Sequence, residues 1–273
     1  MDNSVIKKVC LGLCLLLPSA TWAAQEKPTI TWLEYDLPPG YIAHGPMRDS
    51  GFSDLTTNWL YPRLRNYNHK VRQGTTSRLL RLAKSGALVC SSVLKNPERE
   101  QFLYFSDPTQ LLATHKLYFL AKQKAYLQQL TGQTLNRAVS LNKVFNALPE
   151  LKFAIANGRS YGSERDKIVA RYNDKMKVFT RQEQSSHLIK NLLAERLDMI
   201  IEYPWIMKYE TQRMQGDFPS LASVDIVESS PAIKARIACS KTPQGYEVIK
   251  IINALIYNAP RQQLQQYADR WTK

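Results

Sequence analysis

The chain of 273 residues carries 37 lysines and arginines against 23 acidic residues, so its formal net charge is +14 at pH 7. Such a charge attracts nucleic acid, anionic lipid or acidic solutes, but here the basic residues are dispersed and no nucleic-acid-binding motif is present. The histidines are scattered, without the spacing of metal ligands. We therefore expect a solvated basic surface, with no nucleic-acid partner, no metal and no cofactor.

The N-terminus has the pattern of a secretory signal peptide. Lys7 and Lys8 precede a short apolar core over 9–17, and a small-x-small cleavage site ends at Ala23. The core is too short to span a bilayer, and no later apolar run is long enough. We expect residues 1–23 to be removed and the protein to be exported.

The next part of the chain alternates strands and helices. The predicted elements are a strand over 29–33, a helix from Ser53 toward Leu60, a strand closed by Val71, a helix from Thr75 or Thr76 to Gly86, and a buried strand over 87–93. Pro62 should end the first helix, because proline in a helix interior costs about 3 kcal/mol. This β-α-β-α-β order predicts a mostly parallel sheet covered by helices.

The pattern then restarts and closes on two amphipathic helices. Strands are predicted over 116–120, 152–156, 177–180, 199–201, 222–227 and 235–239, and helices over 161–172, 185–197, from Pro204, 246–257 and 260–271. No low-complexity linker or fixed-period repeat interrupts them. The sequence therefore predicts an α/β protein.

The most informative motif lies over 95–106, where Arg99 follows an apolar segment and precedes Phe105 and Ser106. The rigid, always-charged fork of arginine suits bidentate capture of a carboxylate. This stretch resembles the T-P-E-R-x-x-x-x-x-F-S signature of the type II periplasmic solute-binding proteins (extracellular solute-binding family 3), which include polar amino-acid receptors. In that family the arginine grips the ligand carboxylate in a cleft. We expect Phe105 and Ser106 to provide packing and a turn.

The resemblance covers essentially the whole mature chain and implies a two-lobed fold. Each lobe would be a mixed sheet flanked by helices, with two hinge crossings near 110–115 and 230–234. The implied limits are 24–112 for the first part of lobe 1, 113–232 for lobe 2, and 233–273 for the return to lobe 1.

Two cysteines, Cys90 and Cys239, remain in the mature chain. In an exported protein such a pair favours a disulfide, and free buried thiols are the alternative. The resemblance implies that the returning strand, which carries Cys239, lies beside the third strand of lobe 1, which carries Cys90. A bridge between them is therefore expected.

A second motif spans residues 158–162, between a predicted strand and a predicted helix. Free backbone N–H groups at a helix start bind anions. By resemblance, Ser160 and Tyr161 donate to the ligand carboxylate, and Arg159 joins them as a candidate contact. The same residues spell Gly-x-Ser-x-Gly, the nucleophile elbow of hydrolases, but the later His187 and the intervening Asp174 lie too close in sequence for that fold.

The resemblance implies further ligand contacts. Glu202, at the end of an apolar strand, falls where relatives hold the ligand ammonium; a salt bridge to a protein arginine or lysine is the alternative. Glu34 falls at a second ammonium-binding position. Tyr35 or Tyr41 would supply an aromatic wall, a choice that stays open, and Ser92 is a further candidate contact.

The sequence departs from the family pattern at three positions: Leu94 replaces a polar residue, Val89 an acid and Gly40 an aromatic. These changes weaken the case for a standard α-amino acid.

The interpretation is a periplasmic, monomeric solute-binding protein without enzyme activity. It would capture a small anionic or zwitterionic, amino-acid-like solute for the permease of an ABC-type importer or for a sensor. One alternative is a cyclohexadienyl dehydratase-like enzyme with Glu202 as acid catalyst. Another is a sensor or interaction module without a small ligand.

Overall fold

The computed structural model describes residues 26–35, 37–180, 183–214, 216–259 and 261–272. The predicted signal peptide, 1–23, lies outside these residues. Within them, no helix combines the length and the apolar character needed to cross a membrane.

Strands and helices alternate along the described residues. The strands are β1 (Thr29–Glu34), β2 (Asn68–Gln73), β3 (Val89–Ser92), β4 (Leu103–Phe105), β5 (Gln110–Ala113), β6 (Lys116–Leu120), β7 (Ala154–Ala156), β8 (Lys177–Phe179), β9 (Ile200–Glu202), β10 (Leu221–Asp225), β11 (Ala232–Ala235) and β12 (Ile237–Ser240). The helices are α1 (Phe52–Leu60), α2 (Thr76–Lys84), α3 (Pro97–Glu100), α4 (Lys124–Thr131), α5 (Leu141–Phe145), α6 (Ser163–Arg171), α7 (Gln184–Leu193), α8 (Pro204–Arg213), α9 (Pro243–Asn258) and α10 (Arg261–Thr272).

Lobe 1 is built on a five-stranded sheet in the order β2-β1-β3-β12-β4. β1 runs parallel to β2 and β3, whereas β12 returns antiparallel between β3 and β4. Ile30 and Trp32 of β1 pack with Leu60 of α1 and Val248 of α9 on one face of the sheet. The Thr75 hydroxyl caps α2 by accepting from the Arg78 N–H, which resolves the predicted choice in favour of Thr75.

Lobe 2 contains the antiparallel sheet β10-β6-β9 and the parallel pair β7-β8, linked by a single bridge between Phe153 and Met199. Phe119 of β6 and Phe145 of α5 lie in its core with Phe153. Helices α4 and α5 were not predicted from the sequence, although both bury apolar side chains here.

Two antiparallel strands, β5 and β11, connect the lobes. Gln110 of β5 anchors the connection to lobe 1, because its side-chain amide donates to the Thr56 hydroxyl at 2.7 Å and to the Leu264 carbonyl at 3.1 Å. The lobes also touch directly, since the Phe52 ring of α1 lies 5.3 Å from the Trp205 ring of α8. The predicted lobe limits, 24–112, 113–232 and 233–273, stay a prediction.

Two of the predicted elements end or break at positions that the sequence pattern did not indicate. The helix predicted over 185–197 ends at Leu193, because Glu195 adopts a left-handed φ of 58°. The strand predicted over 235–239 is split at Arg236, whose guanidinium donates to the Ser106 carbonyl between β11 and β12. Phe105, predicted to pack, lies in strand β4 against the apolar cluster around Leu103.

The expected disulfide between Cys90 and Cys239 is confirmed. The two residues are direct partners in the antiparallel pairing of β3 and β12, and both are fully buried. Their Cα atoms are 4.1 Å apart, and 149 positions separate them in the sequence. The bridge therefore joins the first part of lobe 1 to the segment that returns from lobe 2.

We predict that the double variant Cys90→Ala/Cys239→Ala loses about 2–5 kcal/mol of unfolding free energy, because the bridge restricts a long loop of the unfolded chain. Urea denaturation of oxidised wild type and variant measures the difference. Mass spectrometry under non-reducing conditions should find neither thiol available to iodoacetamide, and two alkylated cysteines would contradict the bridge.

Candidate ligand cleft

Arg99 lies at the interface between the lobes. It belongs to the short helix α3, where the Asn96 side chain caps the Arg99 N–H at 2.9 Å. Its guanidinium donates to the Leu94 carbonyl of lobe 1 at 2.7 Å and to the Gly158 carbonyl of lobe 2 at 3.2 Å. Arg99 is buried, and no described carboxylate forms an ion pair with it. Among the described residues, the Arg99 guanidinium thus has backbone carbonyl acceptors but no acidic partner.

The turn before α6 presents the anion-binding arrangement that the sequence predicts, but its own helix fills it. The Asp166 carboxylate accepts the Tyr161 N–H at 2.6 Å through one oxygen and the Ser160 hydroxyl through the other. An acid near a helix N-terminus is favoured there by the helix dipole. The predicted donors Ser160 and Tyr161 are therefore engaged by an internal carboxylate.

The Tyr161 ring does not face the cleft. It is 1% exposed in the core of lobe 2, where its hydroxyl oxygen accepts the Ala156 N–H at 3.2 Å. Burial is the main cause that raises its pKa, to about 12. Of the predicted Tyr161 donors, only the backbone N–H lies at the turn.

Glu202 is bound to a protein arginine, the alternative that the sequence left open. One oxygen accepts from Arg159 at 2.7 Å and the other from the Tyr203 N–H at 2.9 Å, and the residue is fully buried. Arg159 also donates to the Ser185 hydroxyl at 2.7 Å. Burial lowers the pKa of Arg159, but the adjacent Glu202 outweighs it and raises the pKa above the ordinary value. The expected free carboxylate for a ligand ammonium is thus already paired.

Both candidate tyrosines of lobe 1 lie beside Ser92. The Tyr35 hydroxyl donates to the Ser92 carbonyl at 2.7 Å, and the Tyr41 hydroxyl oxygen accepts the Ser92 N–H at 3.1 Å. Their rings meet edge to face at 5.6 Å. Tyr35 lines the cavity beside Arg99, whereas Tyr41 is buried behind it. Ser92 therefore contributes backbone groups that orient the tyrosines.

Glu34 does not line the cavity that Arg99 lines. Its carboxylate accepts from the Gln73 amide at 3.3 Å. Burial, with smaller contributions from the Asp54 and Asp49 carboxylates, raises the pKa of Glu34 to about 7. Glu34 is thus part of an acidic group within lobe 1.

A cavity of about 100 Å³ lies between the lobes. Arg99, Arg159 and Ser160 line its polar side, and its walls include Tyr35, Leu37, Leu94 and Tyr203. A second cavity of about 410 Å³ shares Arg99 and Arg159 and also reaches Asp166. The smaller cavity combines two guanidiniums with aromatic and aliphatic walls, which suits a small anion with a short apolar part.

Sequence reasoning missed several residues of the cleft. Asp166 had a local signal, because an acid in the first turn of a predicted helix commonly bonds to the residues before it. Tyr203 had none, and neither did His115, whose ring stacks on the Tyr203 ring with centroids 3.6 Å apart. Burial, with nearby arginines, lowers the pKa of His115 well below its ordinary value, so it packs as a neutral ring at the lobe crossing.

No protein-family model and no curated protein matches the chain. Solved structures match over nearly the whole length. An ancestral amino-acid-binding protein, described as a precursor of cyclohexadienyl dehydratase, has 15% identity and a TM-score of 0.61, covering 90% of this chain and 96% of its own. The VFT2 domain of Bordetella pertussis BvgS has 18% identity and a TM-score of 0.61, covering 92% and 95%.

An arginine-specific periplasmic binding protein of Salmonella typhimurium has 13% identity and a TM-score of 0.63, covering 91% of this chain and all of its own. At these identities the likeness shows the fold. The chain therefore has the two-lobed α/β fold of the type II periplasmic binding proteins, as the sequence predicts.

We predict that Glu34→Gln stabilises the protein at pH 8 by about 1–3 kcal/mol and leaves its stability at pH 4 unchanged. Folded Glu34 keeps its proton up to about pH 7, whereas an ordinary glutamate releases it near 4.5. Wild-type stability from this group is therefore present below pH 4.5 and lost as the pH rises through 7, while glutamine stays neutral throughout.

Urea denaturation between pH 4 and pH 8 measures this difference. The exposed Glu150→Gln serves as the control and should show no pH-dependent gain. A Glu34→Gln variant that is less stable than wild type at pH 8 would contradict the assignment.

Proposed function

We propose that this chain is an exported solute-binding protein that captures a small carboxylate-bearing solute between its lobes. The observation that carries the proposal is Arg99, a buried cation beside an interlobe cavity with no described counter-ion. Burying an unpaired charge is costly, and a ligand carboxylate would offset that cost by accepting from the guanidinium fork.

Capture would work by closure. Arg99 from lobe 1 and the turn around Ser160 from lobe 2 line the same cavity. A ligand contacts both only when the lobes approach, so binding shifts the population toward the closed state. We place the lobe limits at 112/113 and 232/233, where β5 and β11 connect the two sheets.

The proposed cellular role is delivery of the solute to the permease of an ABC-type importer, or of a signal to a membrane sensor. The matched structures include amino-acid-binding proteins, which supports a small solute. The predicted signal peptide, 1–23, supports a periplasmic location. The proposed form is a monomer.

Acid catalysis by Glu202 gains no support from the geometry. Both of its oxygens already accept hydrogen bonds, and its side chain is fully buried behind Arg159. A general acid must reach the proton-accepting atom of its substrate. We therefore propose binding without turnover, although one matched protein is described as a precursor of a dehydratase.

One observation favours a second candidate, a sensor module that closes without a small ligand. The Asp166 carboxylate binds the donors of the anion-binding turn, and Arg159 forms an ion pair with Glu202. Several polar groups of the cleft therefore already have partners within the protein. Arg99, which forms no ion pair with any described carboxylate, favours the solute-binding role.

We predict that Arg99→Ala weakens binding of the cognate carboxylate at least thirtyfold, about 2 kcal/mol or more, because it removes a buried charge partner. Native mass spectrometry of freshly purified protein identifies a co-purified solute, and calorimetry with that solute measures the loss. Arg81→Ala, at an exposed position of α2 in the same lobe, is the matched control.

If Arg99→Ala binds the co-purified solute as tightly as the wild type does, Arg99 is not part of the binding site. If no carboxylate in a broad panel stabilises the wild type, the ligand-free module becomes the better description.

A further inference from the structure

We infer that Arg159 makes the cleft selective for small carboxylates that lack an α-ammonium group. The inference rests on the proposed function, because it names the class of solute that the cleft would accept. It follows from the fixed charges that face the cavity and from the position of the acid behind them.

Glu202 lies behind Arg159 and away from the cavity. Arg159 lines the cavity, whereas Glu202 is fully buried and does not. The Arg159–Glu202 bond of 2.7 Å and the bond to the Tyr203 N–H use both carboxylate oxygens. The other terminal nitrogen of Arg159 donates to the Ser185 hydroxyl, which holds the guanidinium in this position. A ligand ammonium entering the cavity would therefore meet a guanidinium where it needs a carboxylate.

The other acidic residues near the cleft lie outside the smaller cavity. Asp166 is engaged by the Ser160 hydroxyl and the Tyr161 N–H, and it lies at the larger cavity together with the exposed Glu98. Glu34 lies outside the smaller cavity. The described lining of the smaller cavity contains two guanidiniums and no carboxylate. Glu202 balances the charge of Arg159, but the guanidinium is the end of that ion pair that faces the cavity, so an ammonium there would lie nearer the positive group and be repelled.

The volume and the walls of the smaller cavity limit the size and shape of the solute. A cavity of about 100 Å³ has room for about three water-sized groups, since a water molecule takes roughly 30 Å³ in the liquid. Its non-polar walls come from Tyr35, Tyr203, Leu37 and Leu94. Two guanidiniums in so small a space fit a short monocarboxylate with its carbon chain against the aromatic rings, and a dicarboxylate would extend its second carboxylate into the adjoining cavity of about 410 Å³.

The test compares matched pairs of probes that differ in the α-amino group, namely propionate with alanine and succinate with aspartate. Calorimetry at pH 7 on the mature protein measures each affinity. We expect the member without the amino group to bind at least about tenfold more tightly in one pair or both.

Variants locate the cause. Arg159→Met frees Glu202 to receive an ammonium and should reverse the preference toward the amino acid. Because an unpaired buried carboxylate threatens folding, the neutral double variant Arg159→Met/Glu202→Gln provides a second test. It should bind both members of a pair within about threefold of each other, since the Arg159 guanidinium and the Glu202 carboxylate are both gone and Arg99 pairs with the carboxylate that the two members share.

The outcomes separate the two proposals. Amino acids that bind as tightly as their partners, with Arg99→Ala abolishing both, would overturn this inference and leave the proposed function standing. A double variant that keeps the full wild-type preference would overturn the role of Arg159. If none of the four probes binds and no other carboxylate does, the proposed function fails and the inference fails with it.

Discussion

Three arginine side chains are buried where the lobes and the turn before α6 meet, and each must find acceptors that water no longer supplies. Arg159 donates hydrogen bonds to the Glu202 carboxylate and the Ser185 hydroxyl. Arg165 donates to the Tyr161 carbonyl and the Ser229 hydroxyl. Arg99 donates to two carbonyl oxygens, one from each lobe. The Arg99 bonds join the two lobes, whereas the Arg159 and Arg165 bonds satisfy cations within lobe 2 that would otherwise resist burial.

The three arginines differ in how their charges are compensated. Arg159 is neutralised by an acid that is itself buried, and Arg165 is held by groups within lobe 2. Arg99 alone joins one lobe to the other, and it does so through neutral carbonyls that leave its charge uncompensated among the described residues. Under the proposed function, an anion between the lobes would supply the counter-charge that the described residues do not provide, and the energetics of closure would then depend on the solute.

The sequence predicted what depends on local pattern and on the family signature. The β–α alternation, a helix cap at Thr75 or Thr76 and the pairing of Cys90 with Cys239 belong to this group. The partner of Glu202 could not be chosen, because Arg159 lies 43 residues away and only tertiary placement brings the two together. Helices α4 and α5 escaped prediction because their short apolar faces are defined by packing against lobe 2 rather than by a long periodic pattern.

The bridge between β3 and β12 also changes how the chain responds to cutting. Lobe 2 lies entirely between Cys90 and Cys239 in the sequence, so the disulfide closes a covalent ring that contains it. A peptide bond hydrolysed anywhere within lobe 2 opens that ring but leaves both pieces of lobe 1 attached to each other. The sheet of lobe 1 and the Arg99 loop would then stay assembled in a nicked molecule, and the two fragments would separate only after the bridge is reduced.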